Sequence, residues 1–147
     1  MTAKHSQPEF ELACAVADHI RKAIRPGVFW SGIEHGDELP KKQNKRGIWY
    51  APGVERRKRI GVRNGLPDQF FIVKGRSVGM ELKTATDKVR GVRRGVQSDD
   101  QEKVEEDWTL AGGLYKCCYG YQEAIDFLEV AGVLRPDKSV RRVAAAA

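Results

Sequence analysis

The sequence predicts a small α/β fold in which helices flank a mixed β-sheet. Segments with helical apolar spacing lie near both ends of the chain, β-rich runs lie between them, and glycine-rich turns separate the elements. The order helix, strands, helix, strand, helix is typical of a layered α/β domain. With 147 residues, we expect one domain over residues 1–147, with its core at residues 8–136 and a disordered tail at 137–147.

The first predicted helix covers residues 7–24. Its apolar residues Leu12, Val16 and Ile20 recur at four-residue steps, and an Arg-Pro-Gly sequence ends it. A short strand is predicted at residues 28–30.

The next segment is mostly polar and basic. We expect a loop over residues 36–45, a short extended piece at 48–50 that Pro-Gly closes, and a basic stretch at 55–60. The basic stretch carries too much charge for a core position. It is either a helix or an arm that contacts DNA.

A β-hairpin is predicted next, with strands at residues 69–73 and 77–83 joined by a turn at 74–76. Residues 85–97 have no apolar periodicity and indicate a flexible basic loop.

The last three elements are a helix at residues 99–111, a buried strand at 114–119 and a helix at 123–131. Gly-Gly ends the first of these helices, and a single glycine ends the second.

Composition excludes some classes of protein. No apolar run reaches the roughly 20 residues of a membrane span, and the amino terminus lacks the layout of a secretion signal. Cys14, Cys117 and Cys118 have no zinc-site spacing, and we interpret them as reduced core residues of a cytoplasmic protein.

Positive charge is concentrated in two segments. The net charge is +6, yet residues 41–63 hold nine basic residues and only Glu55 as an acid. Such segregation is typical of proteins that bind a polyanion, although a solvated loop is an alternative for either run alone. The predicted DNA-contacting residues are Lys41, Lys42, Lys45, Arg46, Arg56, Arg57, Lys58, Arg59, Arg63, Arg90, Arg93 and Arg94.

The hairpin also predicts a metal site. If its turn is centred near Gly75, Asp68 lies opposite about Leu82, and strand alternation places Glu81 and Lys83 on one face. Two close carboxylates repel unless a cation neutralises them, and magnesium prefers such oxygen ligands, which the Leu82 carbonyl can supplement. A bound metal would activate water against a phosphate, while Lys83 would orient that water or neutralise developing charge. The alternative is that Asp68 belongs to a turn and Glu81–Lys83 is a surface ion pair.

A wider pattern surrounds these residues. The segment GVRNGLPDQFFIVKGRSVGMELKTATD resembles the signature of the VRR-NUC family, a branch of the PD-(D/E)xK nuclease superfamily. The shared features are a glycine before Pro-Asp, an apolar strand and Glu-x-Lys-Thr. PEFELACAVADHI resembles the family's opening helix, SDDQEKVEEDWTLAGG its post-catalytic helix, and LYKCCYGYQEAIDFLEVAGV its closing strand and helix. The resemblance covers nearly all of residues 8–136.

The resemblance implies a restriction-endonuclease-like core and a DNA endonuclease activity that depends on Mg²⁺ or Mn²⁺. The implied catalytic residues are Glu9, Asp68, Glu81, Lys83 and Gln101, and the implied metal ligands are Glu9, Asp68, Glu81 and the Leu82 backbone carbonyl. Stand-alone members of the family are associated with homodimers that act on branched DNA such as Holliday junctions. The corresponding location is the cytoplasm of a bacterial or phage-infected cell.

Two of these residues have structural alternatives, because Ser6 with Glu9 and Ser98 with Gln101 each fit a capping box. Glu9 also lies on the apolar face of the first helix, aimed at the sheet. The sequence departs from the family in its longer loop at 85–97. It also differs at residues 31–36, so we assign no catalysis to His35 and treat Glu34 as a weaker candidate than Glu9.

Two other functions remain open on the sequence. One is a non-catalytic nucleic-acid-binding module that retains the nuclease fold. The other is a basic structural protein that contacts acidic partners.

Overall fold

The computed structural model describes residues 7–34 and 40–137. It confirms an α/β fold with a mixed sheet flanked by helices. Within those ranges no helix is both long and apolar enough to cross a membrane. The elements, in chain order, are α1 (Gln7–Ala23), β1 (Phe29–Gly32), β2 (Lys42–Gln43), β3 (Trp49–Tyr50), α2 (Pro52–Arg59), β4 (Gln69–Val73), β5 (Arg76–Lys83), α3 (Asp99–Leu110), β6 (Leu114–Tyr119) and α4 (Tyr121–Val130).

The main sheet has four strands in the order β1-β4-β5-β6. The β1–β4 and β4–β5 pairs are antiparallel, and β5 and β6 are parallel. Parallel neighbours need a crossover connection, which α3 provides. The crossover brings the start of α3 close to the end of β5.

One face of the sheet, here called the core face, carries Phe71, Val78 and Met80, all fully buried. Helices α1 and α4 cover this face, and Val16 and Ile20 of α1 are buried in the same cluster. The four-residue apolar spacing of α1 is therefore the stripe that packs on the sheet.

The opposite face, here called the site face, carries Glu81 and Lys83 and is covered by α3. Trp108 of α3 packs over Gly79, where an added Cβ would lie 3.2 Å from the indole ring and 2.9 Å from Tyr115 Cδ2. Trp108 also meets the Tyr115 ring edge to face, with centroids 6.0 Å apart. A glycine at position 79 thus lets α3 lie close to the sheet.

The turn between β4 and β5 determines the register of the site. Lys74 and Gly75 both have positive φ angles, 49° and 79°, as in the two-residue turns that match strand twist. Val73 pairs with Arg76 and Gln69 with Met80, so continuing the register places Asp68 opposite Glu81. The prediction of Leu82 was wrong by one residue, because the turn has two residues rather than three.

The largest departure from prediction is a second sheet. The predicted loop at 36–45 contains β2, which pairs with β3 to form a hairpin. Residues 35–39 lie outside the described residues. The predicted closing Pro-Gly instead begins α2, and the basic stretch at 55–60 is largely helical with no buried residue.

Other boundaries shift by one or two residues, because the terminal residues of helices and strands make only part of the regular hydrogen-bond pattern. The strand predicted at 28–30 lies at Phe29–Gly32, and the helix predicted at 123–131 lies at Tyr121–Val130. In β6, predicted as buried, Cys118 is the buried residue. The predicted tail at 137–147 lies outside the described residues except for its first position.

The prediction for the cysteines was partly wrong. Cys118 is buried, but Cys117 is only partly buried and Cys14 is exposed. Cys14 lies on the solvent side of α1, because it falls between the apolar positions of the four-residue repeat. All three are free thiols.

Candidate active site

Asp68 and Glu81 lie together where the β4–β5 hairpin opens. Asp68 directly precedes β4, and its Oδ2 accepts a hydrogen bond of 2.7 Å from the backbone N–H of Leu82. The paired register places both carboxylates on the site face. Glu81 is 2% exposed, so its charge depends on partners within the protein.

Lys83 supplies one of those partners. Its Nζ lies 3.0 Å from Glu81 Oε1, as the shared face of alternate strand residues predicts. Burial alone would lower the pKa of Lys83, but the hydrogen bond to Glu81 and the charges of Glu81 and Asp68 outweigh it and raise the pKa above 10.5. At neutral pH, Lys83 is a cation that donates hydrogen bonds.

Gln101 completes the capping box that the sequence allowed and also contacts the predicted site residue Glu81. Its Oε1 accepts from the Ser98 backbone N–H at 2.9 Å, and the Ser98 hydroxyl accepts from the Gln101 N–H at 3.3 Å, which completes a capping box. Its Nε2 donates to Glu81 Oε1. One side chain therefore begins α3 and contacts the buried carboxylate.

Gly65 explains how α3 reaches this position. Its φ is +77°, and an added Cβ would lie 2.4 Å from the carbonyl carbon of Asp100 and 2.7 Å from the backbone nitrogen of Gln101. These distances are far below van der Waals contact, so the loop that carries Asp68 meets the α3 backbone only because residue 65 is glycine.

These residues surround one cleft with a volume of about 910 Å³. The cleft is lined by residues from α1, the end of β1, α2, the 62–69 loop, the end of β5 and the start of α3. Its polar lining residues include Glu9, Glu34, Asp68, Glu81, Lys83, Ser98, Asp100 and Gln101. All five predicted catalytic residues therefore face a common space.

Glu9 differs from its prediction in one respect. It was expected to point inward at the sheet, but it is exposed on α1 and borders the cleft. It lies in the first turn of the helix, beyond the buried part of the apolar stripe. Its possible capping partner Ser6 lies outside the described residues, as does His35.

The predicted basic residues separate into groups. Arg57 and Lys58 of α2 and Arg63 of the following loop line the cleft. Arg63 also bonds Asp107 of α3 at 2.7 Å, which partly neutralises it. Lys41, Lys42, Lys45 and Arg46 lie on or beside the β2–β3 hairpin, and Arg56 and Arg59 are exposed on α2.

The remaining predicted contacts lie in the loop at 85–97, which is more constrained than the flexible segment we expected. Arg90 forms an ion pair of 2.6 Å with Glu11 of α1. The Arg94 guanidinium lies 3.9 Å from the centre of the Tyr119 ring. The Arg93 carbonyl accepts from Thr84 Oγ1 at 2.8 Å. The side chains of Arg90 and Arg94 thus have partners outside the cleft lining, whereas Arg93 ties the loop through its backbone.

The same loop contacts the lysine of the site. An added Cβ at Gly95 would lie 3.1 Å from Lys83 Cβ and Cδ, and the Gly95 N–H donates to the Thr84 carbonyl at 2.9 Å. The loop therefore packs along the alkyl chain of Lys83 and restricts its movement.

Sequence reasoning missed the apolar part of the cleft. Phe10, which is 63% exposed, and Val54 line it beside the charged residues. Phe10 lies outside the four-residue stripe of α1, and an aromatic residue off the packing face was the available signal. The contact of Gly65 with α3 had no sequence signal beyond the glycine itself.

The donor set of the site consists of carboxylate and carbonyl oxygens. Among residues 7–34 and 40–137, no cluster of three or more His, Cys, Asp or Glu side chains has a geometry suited to holding a metal ion. Magnesium commonly uses one or two protein carboxylates together with substrate phosphates and water, and Asp68 and Glu81 are two carboxylates that line the same cleft.

Comparison with known proteins adds no family assignment. No protein-family model, no curated protein and no solved structure matches this chain.

Proposed function

We propose that this protein is a metal-dependent DNA endonuclease that hydrolyses phosphodiester bonds. The observation that carries the proposal is the convergence of Asp68, Glu81 and Lys83 at the open end of one hairpin, inside a cleft. A restriction-endonuclease-like core of the VRR-NUC type is part of the proposal and rests on the sequence resemblance.

Each residue of the site has a chemical role in this proposal. Asp68 and Glu81 would hold Mg²⁺ or Mn²⁺, with Glu9 and the Leu82 carbonyl as further oxygen donors in the same cleft. Such an ion, when bound, lowers the pKa of a coordinated water and offsets charge on the scissile phosphate.

Lys83 would act as a hydrogen-bond donor rather than as a base. Because its pKa is raised, it keeps its proton at neutral pH and can orient a water or stabilise negative charge that develops on the phosphate. Gln101 would act as a positioning residue that holds the Glu81 carboxylate by its amide N–H.

The walls of the cleft fit a phosphate backbone. Arg57, Lys58 and Arg63 are cationic side chains on the wall that α2 and the following loop form. Such contacts position DNA without reading its sequence. We therefore propose recognition of branched DNA, such as a Holliday junction, by shape. A homodimer would supply the two sites that symmetric cleavage needs.

The test is cleavage of a panel of branched and linear DNAs with Mn²⁺ or Mg²⁺. Asp68→Ala and Lys83→Ala should each lower the rate by at least about 100-fold, the usual effect of losing a group that stabilises the transition state. Lys116→Ala is the matched control, because Lys116 lies on the neighbouring strand β6 and pairs with Met80 on the core face. That variant should cleave like the wild type.

Undiminished cleavage by both site variants would contradict the assignment of the site. DNA binding without metal-dependent cleavage of any substrate would instead favour the non-catalytic binding module. Calorimetry with Mg²⁺ further distinguishes the nuclease from the binding module. Glu81→Gln should remove the heat of Mg²⁺ binding only if the carboxylates hold the metal.

A further inference from the structure

The β2–β3 hairpin exposes a cluster of large apolar side chains. Ile48, Trp49 and Tyr50 are 59%, 65% and 45% exposed. The other two tryptophans, Trp30 and Trp108, are partly buried. Large aromatic side chains that a fold leaves exposed on both faces of a hairpin are candidates for contact with a partner.

The hairpin is held by its own turn rather than by the core. The Asn44 side chain accepts from the N–H groups of Arg46 and Ile48 at 2.8 and 3.0 Å. Gln43 Nε2 donates to the Gly47 carbonyl at 2.7 Å. All ten residues from 41 to 50 are exposed. Because an isolated two-stranded hairpin is marginal in water, these local bonds preorganise a surface that the core does not support.

The register presents the aromatic residues on both sides of the hairpin. Trp49 pairs with Gln43 and Tyr50 with Lys42, so Trp49 lies on one face and Tyr50 on the other with a lysine beside it. The ribbon therefore places one ring beside a cation and the other beside an amide side chain.

The charge of the β2–β3 hairpin indicates which kind of partner it can bind. Lys41, Lys42, Lys45 and Arg46 carry four positive charges, and residues 40–54 contain no acid. A second copy of the same surface would bring like charges together, which opposes association. A polyanion with flat π-faces, namely unpaired nucleotides, satisfies both features, because bases stack on aromatic rings while cations bind the backbone.

The hairpin is also close in sequence to residues that line the cleft. Five residue steps separate Trp49 from Val54, which lines the cleft, and they span at most about 18 Å. That reach corresponds to about five nucleotides of stacked strand at 3.4 Å each. Arg57 and Lys58 lie one turn further along α2, on the cleft wall.

We propose that the β2–β3 hairpin is a stacking platform for unpaired bases, with Trp49 as its principal ring. The inference rests on the proposed DNA-cleaving function and narrows its substrates, among branched DNAs, to those that carry unpaired bases near the cleft.

The test uses tryptophan fluorescence without metal, in EDTA, so that binding is measured apart from cleavage. A short oligothymidylate should quench the emission of Trp49 and bind more tightly than a blunt duplex of equal length. Trp49→Leu should weaken oligothymidylate binding by about 5- to 150-fold, the range expected for loss of one stacked base. Trp49→Phe should retain most of the affinity but lose the quenching.

Val130→Ala is the control, because it removes an exposed apolar side chain that cannot stack and that lies on α4, outside the hairpin. Its affinity for oligothymidylate should equal that of the wild type, and circular dichroism should confirm that all variants fold. Equal affinity of Trp49→Leu and the wild type would overturn the proposal. So would a concentration-dependent dimer that Ile48→Ala weakens and oligothymidylate does not affect, because the surface would then belong to a second copy. If oligothymidylate quenches the wild-type protein but no DNA is cleaved in the presence of metal, only the proposed function is contradicted.

Discussion

Replacing Gly65 with alanine is expected to destabilise the fold by about 2–5 kcal/mol. An alanine at a φ of +77° costs about 1–2 kcal/mol because the left-handed conformation brings Cβ against the carbonyl oxygen. The new Cβ would also lie 2.4 and 2.5 Å from the carbonyl carbon and oxygen of Asp100. Those are backbone atoms of a helix, so relief requires α3 to move, and such overpacking costs about 1–3 kcal/mol more.

Gly75→Ala provides the matched control. Gly75 has a φ of +79°, and an added Cβ there would meet nothing within 4 Å, so only the conformational cost of about 1–2 kcal/mol applies. The difference in unfolding free energy between the two variants isolates the contact between the 62–69 loop and α3.

Urea denaturation followed by circular dichroism measures both values, with the slope m expected to stay constant. A displaced α3 should also separate Gln101 from Glu81, so Gly65→Ala should lower cleavage while Gly75→Ala should not. If Gly65→Ala costs no more than Gly75→Ala, the close contact with α3 does not determine the choice of glycine, and the reasoning is refuted.

Three further predictions concern Glu81 and the start of α3. Because the folded protein raises the pKa of Lys83 above 10.5, the Lys83–Glu81 pair should contribute stability that is fully present below pH 10.5 and lost as the pH rises through the folded value. The difference in unfolding free energy between wild type and Lys83→Met should therefore shrink in strongly alkaline buffer, and a pH-independent difference would contradict it. Ser98→Ala should cost about 1 kcal/mol through loss of the helix cap yet leave Mg²⁺ affinity unchanged. Gln101→Glu keeps an acceptor for the helix cap but places a second carboxylate beside that of Glu81. The variant should therefore change the Mg²⁺ affinity that calorimetry measures.

Local chemistry made the hairpin predictable from sequence. The alternation of Glu81 and Lys83 follows from strand geometry alone, and the Lys74-Gly75 turn fixed the register to within one residue. The capping box at Ser98 is equally local, since its partners are three residues apart. These features depend on neighbours in the chain, which a sequence displays directly.

Features that depend on distant contacts were harder to predict. The β2–β3 hairpin has a polar pattern, so the usual signal of alternating burial is missing, and its turn relies on the Asn44 side chain. The contact of Gly65 with Asp100 joins residues far apart in the chain. The loop at 85–97 appeared flexible because its ties to Glu11 and Tyr119 are contacts with other elements.

Helix α3 connects the packing of the sheet to the candidate site. At one end of the helix, Trp108 packs over Gly79. At the other end, Gln101 caps the helix and donates to Glu81. The helix makes about two turns between Gln101 and Trp108. It therefore fixes the distance between the packed Trp108 ring and the Glu81 carboxylate. A buried carboxylate is costly unless it is held by such partners. Gln101 therefore both caps α3 and holds Glu81. A change that displaces the helix should alter the site before it unfolds the sheet.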